Sequence, residues 1–215
     1  IRYGFANDQD QHNQPFIRFS TNLGRTWSKD RPVPQWKGFN EAQMIRAKNG
    51  DLVCCLRSDI HKRYKNRNDH FGGMGVSISK DNGQTWSNVN LLYEWGRHHQ
   101  SPVVMPNGDI VVSYVVREGY PPNENGYPTF GIEAIVSHDH GQTWDLDRTY
   151  VLYEWVGHLV GDRYWMASPQ ITSTALLPDG DLITIFGSGE REMGYEGDPR
   201  RIGVVRLRLA KSVKD

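Results

Sequence analysis

Short apolar runs alternate with polar turn segments along most of the chain. One stretch reads "AQMIRAK", then a turn at Asn49-Gly50, then "DLVCCLR", a polar loop and "GMGVSIS". Asn-Gly between two apolar runs is a strong hairpin signal, because both residues tolerate positive φ. Runs of this length bounded by turn residues are typical of β-strands. The pattern predicts an all-β protein built from units of about four short strands each.

A polar octet marks the end of the third strand in these units. It reads "SKDNGQTW" at 79–86, "SHDHGQTW" at 137–144 and, with changes, "STNLGRTW" at 20–27. The closing residues of the three octets, Trp27, Trp86 and Trp144, are 59 and 58 residues apart. A repeat of this size indicates one structural unit that recurs along the chain.

A second marker has the same period. "KNGDLV" at 48–53 and "PNGDIV" at 106–111 start 58 residues apart, and "PDGDLI" at 178–183 starts 72 residues after that. The last unit therefore carries an insertion of about a dozen residues between Trp144 and Pro178. Four-stranded units repeated in series indicate the blades of a β-propeller.

About three and a half blades are expected in this chain, whereas a closed ring usually needs about four to eight. We therefore expect the C-terminal part of a larger propeller, with about six blades when whole and the missing blades in the same parent chain. The alternative is a half-propeller completed by another chain. The expected units are a blade remnant at 1–37, blades at 38–95 and 96–155, a last blade at 156–210 and a tail at 211–215.

The octet has the composition of a structural turn. Its Asp can accept hydrogen bonds from nearby backbone N–H groups, its Gly permits positive φ, and its Trp can fold back as an apolar plug. Asn22 replaces the Asp in the first copy, and a structural turn tolerates that loss of charge better than a catalytic site would. The expected turn residues are Ser79, Asp81, Gly83 and Trp86, and Ser137, Asp139, Gly141 and Trp144.

Composition excludes some partners. The chain has 25 basic and 25 acidic side chains, so it lacks the basic field that a nucleic-acid or membrane-surface partner requires. No apolar run is long enough for a membrane span, and no export signal is visible in this stretch. Cys54 and Cys55 are adjacent on one predicted strand, so they point to opposite faces and cannot easily bond to each other.

Charge collects on the face opposite the octets, where strand two of each unit ends. Arg57 and Arg117 follow the turn glycines of their units at odd offsets, so both should lie on the same face of equivalent strands. Converging guanidinium groups suit a ligand that carries a carboxylate. The alternative is that each arginine ties down a nearby loop acid, such as Asp59 or Glu118.

The octets resemble the Asp box, also called the BNR repeat, which is the signature of the sialidase superfamily and of other carbohydrate-active and receptor propellers. The segment "NEAQMIRAKNGDLVCCLR" is similar to a sialidase segment that opens with a Glu and ends with an Arg. This resemblance implies that Glu41 partners a tyrosine nucleophile and that Arg57 binds the carboxylate of the sugar. The alternative for Glu41 is an acid that bonds a backbone N–H at the start of a strand.

Other features depart from that family. No Arg occurs between 118 and 136, and Ile171 stands where the resemblance implies a nucleophilic tyrosine. Tyr164, in the inserted segment, is the remaining candidate nucleophile. The candidate site is therefore catalytic Glu41 and Tyr164, with Arg57, Arg117, His99 and Trp165 as substrate-binding residues.

Three classes of function are left open. The first is a sialidase-like exo-glycosidase that acts on a sialic-acid-like or other carboxylated sugar, with Glu133 as a further candidate acid. The second is a propeller that binds glycans or a protein partner without catalysis. The third is a polysaccharide lyase with a histidine base. The expected stacking platforms of a glycan binder are Trp95, Trp155 and Trp165, and the candidate bases of a lyase are His98, His99 and His158.

No cofactor and no metal are expected, because His98 and His99 are adjacent and no nearby carboxylates complete an obvious ligand set. The expected partner is a carbohydrate. The family resemblance implies a secreted or periplasmic protein.

Overall fold

The computed structural model describes residues 2–5, 12–59, 71–159, 166–189 and 201–208, with the backbone alone for 2–5. Fourteen β-strands and one 3-10 helix, Pro34–Trp36, lie in these ranges. The strands are β1 (Arg2–Phe5), β2 (Asn13–Ile17), β3 (Arg31–Pro32), β4 (Phe39–Arg46), β5 (Leu52–Ser58), β6 (Met74–Ser79), β7 (Asn90–Tyr93), β8 (Arg97–Val104), β9 (Ile110–Val116), β10 (Thr129–Ser137), β11 (Tyr150–Val156), β12 (Thr172–Leu176), β13 (Leu182–Gly187) and β14 (Ile202–Leu207). None of the described residues forms a helix of the length and apolarity that a membrane crossing needs.

The strands form four antiparallel sheets in chain order, which we name blade 1 (β1–β3), blade 2 (β4–β7), blade 3 (β8–β11) and blade 4 (β12–β14). An octet joins the third and fourth strands of blades 2 and 3. The octet of blade 1 joins β2 and β3, so β1–β3 correspond to the second, third and fourth strands of the other blades. The prediction of an all-β propeller with four-stranded blades is confirmed.

The hydrophobic core lies between blades, because each strand alternates its side chains between the two neighbouring sheets. One cluster joins Val53, Cys55 and Met74 of blade 2 to Val112 and Tyr114 of blade 3, and all five are almost fully buried. Two further clusters lie between blades 3 and 4, and a fourth lies between blades 1 and 2. Blades 2 and 3 are therefore each stabilised by both of their neighbours.

The paired cysteines show this alternation directly. Cys54 packs with Ile17 and Trp36 of blade 1, whereas Cys55 belongs to the cluster that faces blade 3. Both thiols are free and buried. The prediction that they lie on opposite faces and form no disulfide with each other is confirmed.

The octet of blade 2 folds into a turn that its own polar side chains close. Asp81 Oδ1 accepts hydrogen bonds from the backbone N–H of Thr85 at 2.8 Å and from the Ser79 hydroxyl at 2.8 Å. Asp81 Oδ2 accepts from the Thr85 hydroxyl at 2.6 Å, and the Ser79 oxygen accepts from the Gly83 N–H at 2.7 Å. The Thr85 hydroxyl and amide together lower the pKa of Asp81 to about 2. The octet of blade 3 repeats these bonds through Asp139.

The octet of blade 1 makes the same turn without the charge. Asn22 Oδ1 accepts from the Thr26 N–H at 2.9 Å, and the Ser20 oxygen accepts from the Gly24 N–H at 2.8 Å. The Asn22 amide then donates to the Thr26 hydroxyl at 2.8 Å, in the position where an Asp would accept. Hydrogen-bonding shape, and not charge, is therefore what this turn requires.

The blades present two different ends. The Asn-Gly turns and the octets share one end, where turns of successive blades are tied by Lys48 Nζ donating to the Pro106 carbonyl at 3.1 Å. At the other end, strand one begins and strand two finishes, as the pairing of Phe39 with Ser58 shows. This second end carries the candidate site.

Candidate functional site

From blade 2 onward, strand one of each blade contacts strand one of the next, β4 with β8 and β8 with β12, and we call these the inner strands. The inner strands β4 and β8 each contain a β-bulge near the end opposite the octets. In β4 the pairing with β5 passes from Asn40–Arg57 to Gln43–Cys55, so Glu41 and Ala42 lie opposite the single residue Leu56. In β8 the register shifts in the same way, between His98 and Ser101.

Glu41 and His99 occupy the first position of their bulges. Their φ angles are 41° and 53°, in the left-handed region that non-glycine residues seldom adopt. Bulges re-aim side chains and are frequent beside active sites. Because the two bulges are equivalent, they bring a carboxylate from blade 2 and an imidazole from blade 3 to the same place.

The two side chains are in contact, and each also contacts an arginine. His99 Nδ1 lies 2.8 Å from Glu41 Oε2, and Arg57 Nη1 donates to Glu41 Oε1 at 3.1 Å. On the other side of the imidazole, Arg117 Nη2 lies 3.2 Å from His99 Nε2. We call these four residues, Glu41, Arg57, His99 and Arg117, the central cluster.

The contacts determine which imidazole nitrogen carries the proton. A guanidinium group only donates, so His99 Nε2 accepts from Arg117 and the proton of the neutral ring lies on Nδ1, facing Glu41. Exposure decreases from Glu41, whose side chain is 31% exposed, to His99 at 12% and Arg57 at 8%. Glu41 is therefore the most accessible group of the central cluster.

Electrostatics favour an ionised Glu41 beside a neutral His99. Burial raises the pKa of Glu41, but the contacts with His99 and Arg57 outweigh it and hold the pKa below its ordinary value. Burial lowers the pKa of His99, and the charges of Arg117 and Arg57 add to that effect against the opposing influence of Glu41. The pair can therefore accept a proton at Nε2 while the carboxylate holds the Nδ1–H.

Arg117 also ties blade 3 to blade 4. Its Nε donates to the Pro169 carbonyl at 2.8 Å, and Nη2 donates to the Gln170 carbonyl at 3.0 Å. The residue is 5% exposed. Arg117, directly after β9, thus reaches the segment that precedes β12, whereas Arg57, in β5, reaches Glu41 in β4 of its own blade. Asp59, weighed above as a partner for an arginine, accepts hydrogen bonds from Asn13 and Asn40.

One buried residue beside the central cluster, Gln100, was not predicted from the sequence. Gln100, fully buried, follows His99 in the bulge of β8 and donates to the Glu41 carbonyl at 2.7 Å. Glu41, His98 and His99 also lie together, with one carboxylate or imidazole atom of each within 4.8 Å of the others. The sequence, in which the two histidines are adjacent, did not predict this grouping. Arg57 and Arg117 place two positive charges against the same atoms, so the electrostatics favour an anion over a cation here.

Glu133, the further candidate acid, lies in a separate network between blades 2 and 3. Arg97 Nε donates to its Oε2 at 3.1 Å, and the Tyr114 hydroxyl donates to the same oxygen at 2.9 Å. The Tyr120 hydroxyl donates to Oε1 at 2.7 Å. The Glu133 side chain is 3% exposed and its three donors all belong to blade 3, so this carboxylate joins elements of one blade and is closed to a sugar.

The other candidate residues have different surroundings. Trp155 is buried, stacks on Phe186 and donates from Nε1 to the Ala167 carbonyl at 2.9 Å, so it offers no platform to a ligand. Trp95 is half-buried beside Phe71, and His158 is exposed beside Tyr127. Tyr164 and Trp165 lie outside the described residues.

Comparison with known families identifies the octets. A model of the BNR/Asp-box repeat matches residues 77–88 and 135–146, which contain the octets of blades 2 and 3. The resemblance stated from the sequence is thereby confirmed for the repeat itself. No curated protein sequence matches the chain.

Solved structures with this fold include carbohydrate-acting enzymes. An α-L-arabinanase of Penicillium chrysogenum superposes with a TM-score of 0.61 and 15% identity over 94% of this chain and 56% of its own. A Hadza microbial sialidase superposes with a TM-score of 0.58 and 14% identity, over 90% of this chain and 38% of its own. A family 25 polysaccharide lyase, an ulvan lyase, superposes with a TM-score of 0.54 and 15% identity, over 91% of this chain and 47% of its own. At these identities the likeness establishes the fold, and the chain spans about half the length of these structures or less.

Proposed function

We propose that this BNR/Asp-box repeat β-propeller is a carbohydrate-active enzyme that hydrolyses the glycosidic bond of a sialic-acid-like or other carboxylated sugar. The observation that carries the proposal is the Glu41–His99 contact of 2.8 Å on equivalent bulges of two inner strands, flanked by Arg57 and Arg117. The fold shared with a sialidase and an arabinanase supports the reaction class.

The flanking arginines supply the preference for an acidic sugar. Two guanidinium groups within hydrogen-bonding distance of one Glu–His pair create a local excess of positive charge. A substrate carboxylate would compete for the Arg117 N–H that now points at His99 Nε2. Release of that contact would leave the Nε2 lone pair available to a reacting proton.

For hydrolysis, His99 Nε2 takes a proton from a water molecule while Glu41 stabilises the imidazolium through Nδ1–H. The water oxygen bonds to the anomeric carbon, and the bond from that carbon to the leaving oxygen breaks. The leaving oxygen takes up a proton from solvent water, and the imidazolium returns its own proton to the solvent. Glu41 is the candidate partner of a tyrosine nucleophile in the sialidase scheme, and Tyr164 remains the proposed tyrosine. In that variant the phenol oxygen forms the first bond to the anomeric carbon.

A second candidate, β-elimination by a polysaccharide lyase, is favoured by the neutral His99. Here Nε2 removes the proton from the carbon next to a uronate carboxylate, a carbon–carbon double bond forms, and the glycosidic oxygen leaves with the bonding electrons and is protonated. Arginines beside the base stabilise the negative charge that develops on the carboxylate. The fold shared with an ulvan lyase is compatible with this route.

The products separate the two reactions. The purified protein is incubated with a fluorogenic sialoside and with uronate-containing oligosaccharides, and both reducing-end release and the ultraviolet absorbance of an unsaturated uronate are followed. Hydrolysis gives new reducing ends without the absorbance, and elimination gives both. Glu41→Gln and His99→Gln are expected to reduce kcat about 100-fold or more.

The matched control is Arg46→Ala. Arg46 is exposed at the octet end of the same strand as Glu41 and donates to the Gly50 carbonyl at 2.7 Å, far from the pair. Arg57→Ala should abolish the preference for acidic over neutral sugars, whereas Arg46→Ala should keep it. Folded wild-type protein that binds acidic glycans without releasing any product would refute both reactions and leave a binding propeller.

A further inference from the structure

Gln100 joins the two bulges of the central cluster. It follows His99 directly in β8, and its side-chain amide crosses the interface between blades. Nε2 donates to the Glu41 carbonyl at 2.7 Å and to the Cys55 carbonyl at 3.1 Å, both in blade 2. The residue is fully buried, so no water competes for these bonds.

The first of these carbonyls lies at a break in the sheet. The β-bulge interrupts the ladder between β4 and β5 at Glu41, and interrupted ladders leave backbone groups without a strand partner. A buried carbonyl without a donor is unfavourable, so a residue that supplies one holds the local backbone in place. A primary amide suits the task, because a single neutral nitrogen carries two N–H groups.

The Glu41 backbone has particular need of such support. Its φ of 41° is unfavourable for a residue with a side chain, and such conformations persist only where the surroundings enforce them. The Gln100 bond to the Glu41 carbonyl is one such constraint. His99, with its own φ of 53°, precedes Gln100, so one side chain ties the backbone of both members of the pair.

We propose that Gln100 is a positioning residue that sets the geometry of the Glu41–His99 pair across the blade interface. It acts through Glu41 and His99 and does not touch the substrate. The catalytic part of this inference rests on the proposed function of the pair, whereas the effect on its geometry does not.

The chain offers a matched control in Gln14. Its amide also donates to two backbone carbonyls, of Pro15 at 3.0 Å and Val33 at 2.8 Å, and the residue is buried in blade 1. Gln14→Met and Gln100→Met therefore remove the same kind of bonds from comparable surroundings. Only the second removes them from the central cluster.

The first measurement is the NMR pH titration of the His99 imidazole, identified by its absence in His99→Gln. In Gln100→Met the contact with Glu41 loosens and the His99 pKa falls further, since Glu41 is the group that raises it. Gln14→Met leaves the titration as in wild type. Equal titrations in all three proteins would overturn the proposal.

The second measurement is steady-state kinetics on whichever acidic sugar the wild type cleaves. Gln100→Met should lower kcat about 100-fold, the effect of a small misplacement of reacting groups, with KM changed less than about twofold. Gln14→Met should leave both constants unchanged at a temperature where it is folded. A merely structural Gln100 would give the same kinetics as Gln14→Met, and that result would overturn the proposal.

The two proposals fail in different ways. If the wild type cleaves no acidic sugar, the proposed function is refuted, and the His99 titration still decides the role of Gln100. If Gln100→Met does not fold, Gln100→Asn keeps the amide on a shorter side chain. It should then lower the His99 pKa in the same direction by a smaller amount, and an unchanged pKa would count against the positioning role.

Discussion

Glu41 and His99 hold equivalent positions in successive blades, and His99 Nδ1 lies 2.8 Å from Glu41 Oε2. Each residue is the first of a bulge on an inner strand, and each has a positive φ. The repeated backbone thus supplies one position twice, and the sequence fills it with an acid in one blade and an imidazole in the next. A carboxylate–imidazole contact thus arises from one scaffold position that carries different side chains in successive blades.

Acidification should weaken the fold through both members of this pair. Because folding lowers the His99 pKa, its contribution is complete above the unfolded pKa of about 6.5 and is lost as the pH falls towards the folded value. The Glu41 pKa is also lowered, so its contribution is lost below about 4.3. The measurement is the Tm over a pH series, in which His99→Gln should lack the upper part of the decline and Glu41→Gln the lower part.

Exposed His158 provides the control for that series. His158→Gln should follow the wild-type curve, since this imidazole lies on the surface. Superimposable curves for wild type and His99→Gln between neutral and mildly acidic pH would contradict the prediction.

Asp139→Ala should destabilise the protein more than Asp139→Asn. The alanine leaves the Thr143 N–H, the Thr143 hydroxyl and the Ser137 hydroxyl without their acceptor, at a cost of about 1–3 kcal/mol. The asparagine should cost below about 1 kcal/mol, because Asn22 already closes the same turn in blade 1. Urea unfolding measures the free energy of unfolding of both variants, with Asp147→Ala, at an exposed position, as the control. Equal losses of stability in the two Asp139 variants would show that the charge matters.

Glu133→Gln should lower the free energy of unfolding by about 3 kcal/mol, because it leaves the half-buried Arg97 without its counter-charge. The amide must also fit between the hydroxyls of Tyr114 and Tyr120. Chemical denaturation checks the magnitude against Glu154→Gln, an exposed site that should stay near wild type. A loss of activity without a loss of stability in Glu133→Gln would point to a catalytic role and contradict this assignment.

Cys54 and Cys55 should be unreactive in the native protein. Both thiols are fully buried, and burial raises the pKa of Cys55 to about 12 and that of Cys54 well above its ordinary value. The thiolate is the reactive species, so a thiol reagent should modify neither until the protein unfolds. The check is the number of thiols that react with and without urea, and rapid reaction of either one under native conditions would disprove it.

The features that the sequence predicted well are those set by local contacts. The octets close through bonds between residues at most four positions apart, as between Asp81 and Thr85, so their letters determine their shape. The opposite orientation of Cys54 and Cys55 follows from strand geometry alone. The propeller prediction rested on these local signals and their period.

The features that escaped prediction depend on partners far along the chain. Each bulge is defined by the register of one strand against another, so it cannot be predicted from the residues of "NEAQMIR" or "RHHQSPVV" alone. Arg117 was expected to bind a ligand or a nearby acid, and its described acceptors include the carbonyl of Pro169, 52 residues away. Gln100 was missed for the same reason, since its acceptors belong to the preceding blade.

The placement of the core between blades has a consequence for how such chains can change over time. A duplication copies one blade, yet each apolar cluster is shared by two blades, so a new copy must match two unlike neighbours at once. Strand two of blade 2 shows both constraints on adjacent residues, because Cys54 belongs to the same cluster as Trp36 and Cys55 to the same cluster as Tyr114. Substitutions along such a strand should therefore be correlated with two separate sets of partners, odd positions with the blade that follows and even positions with the blade that precedes.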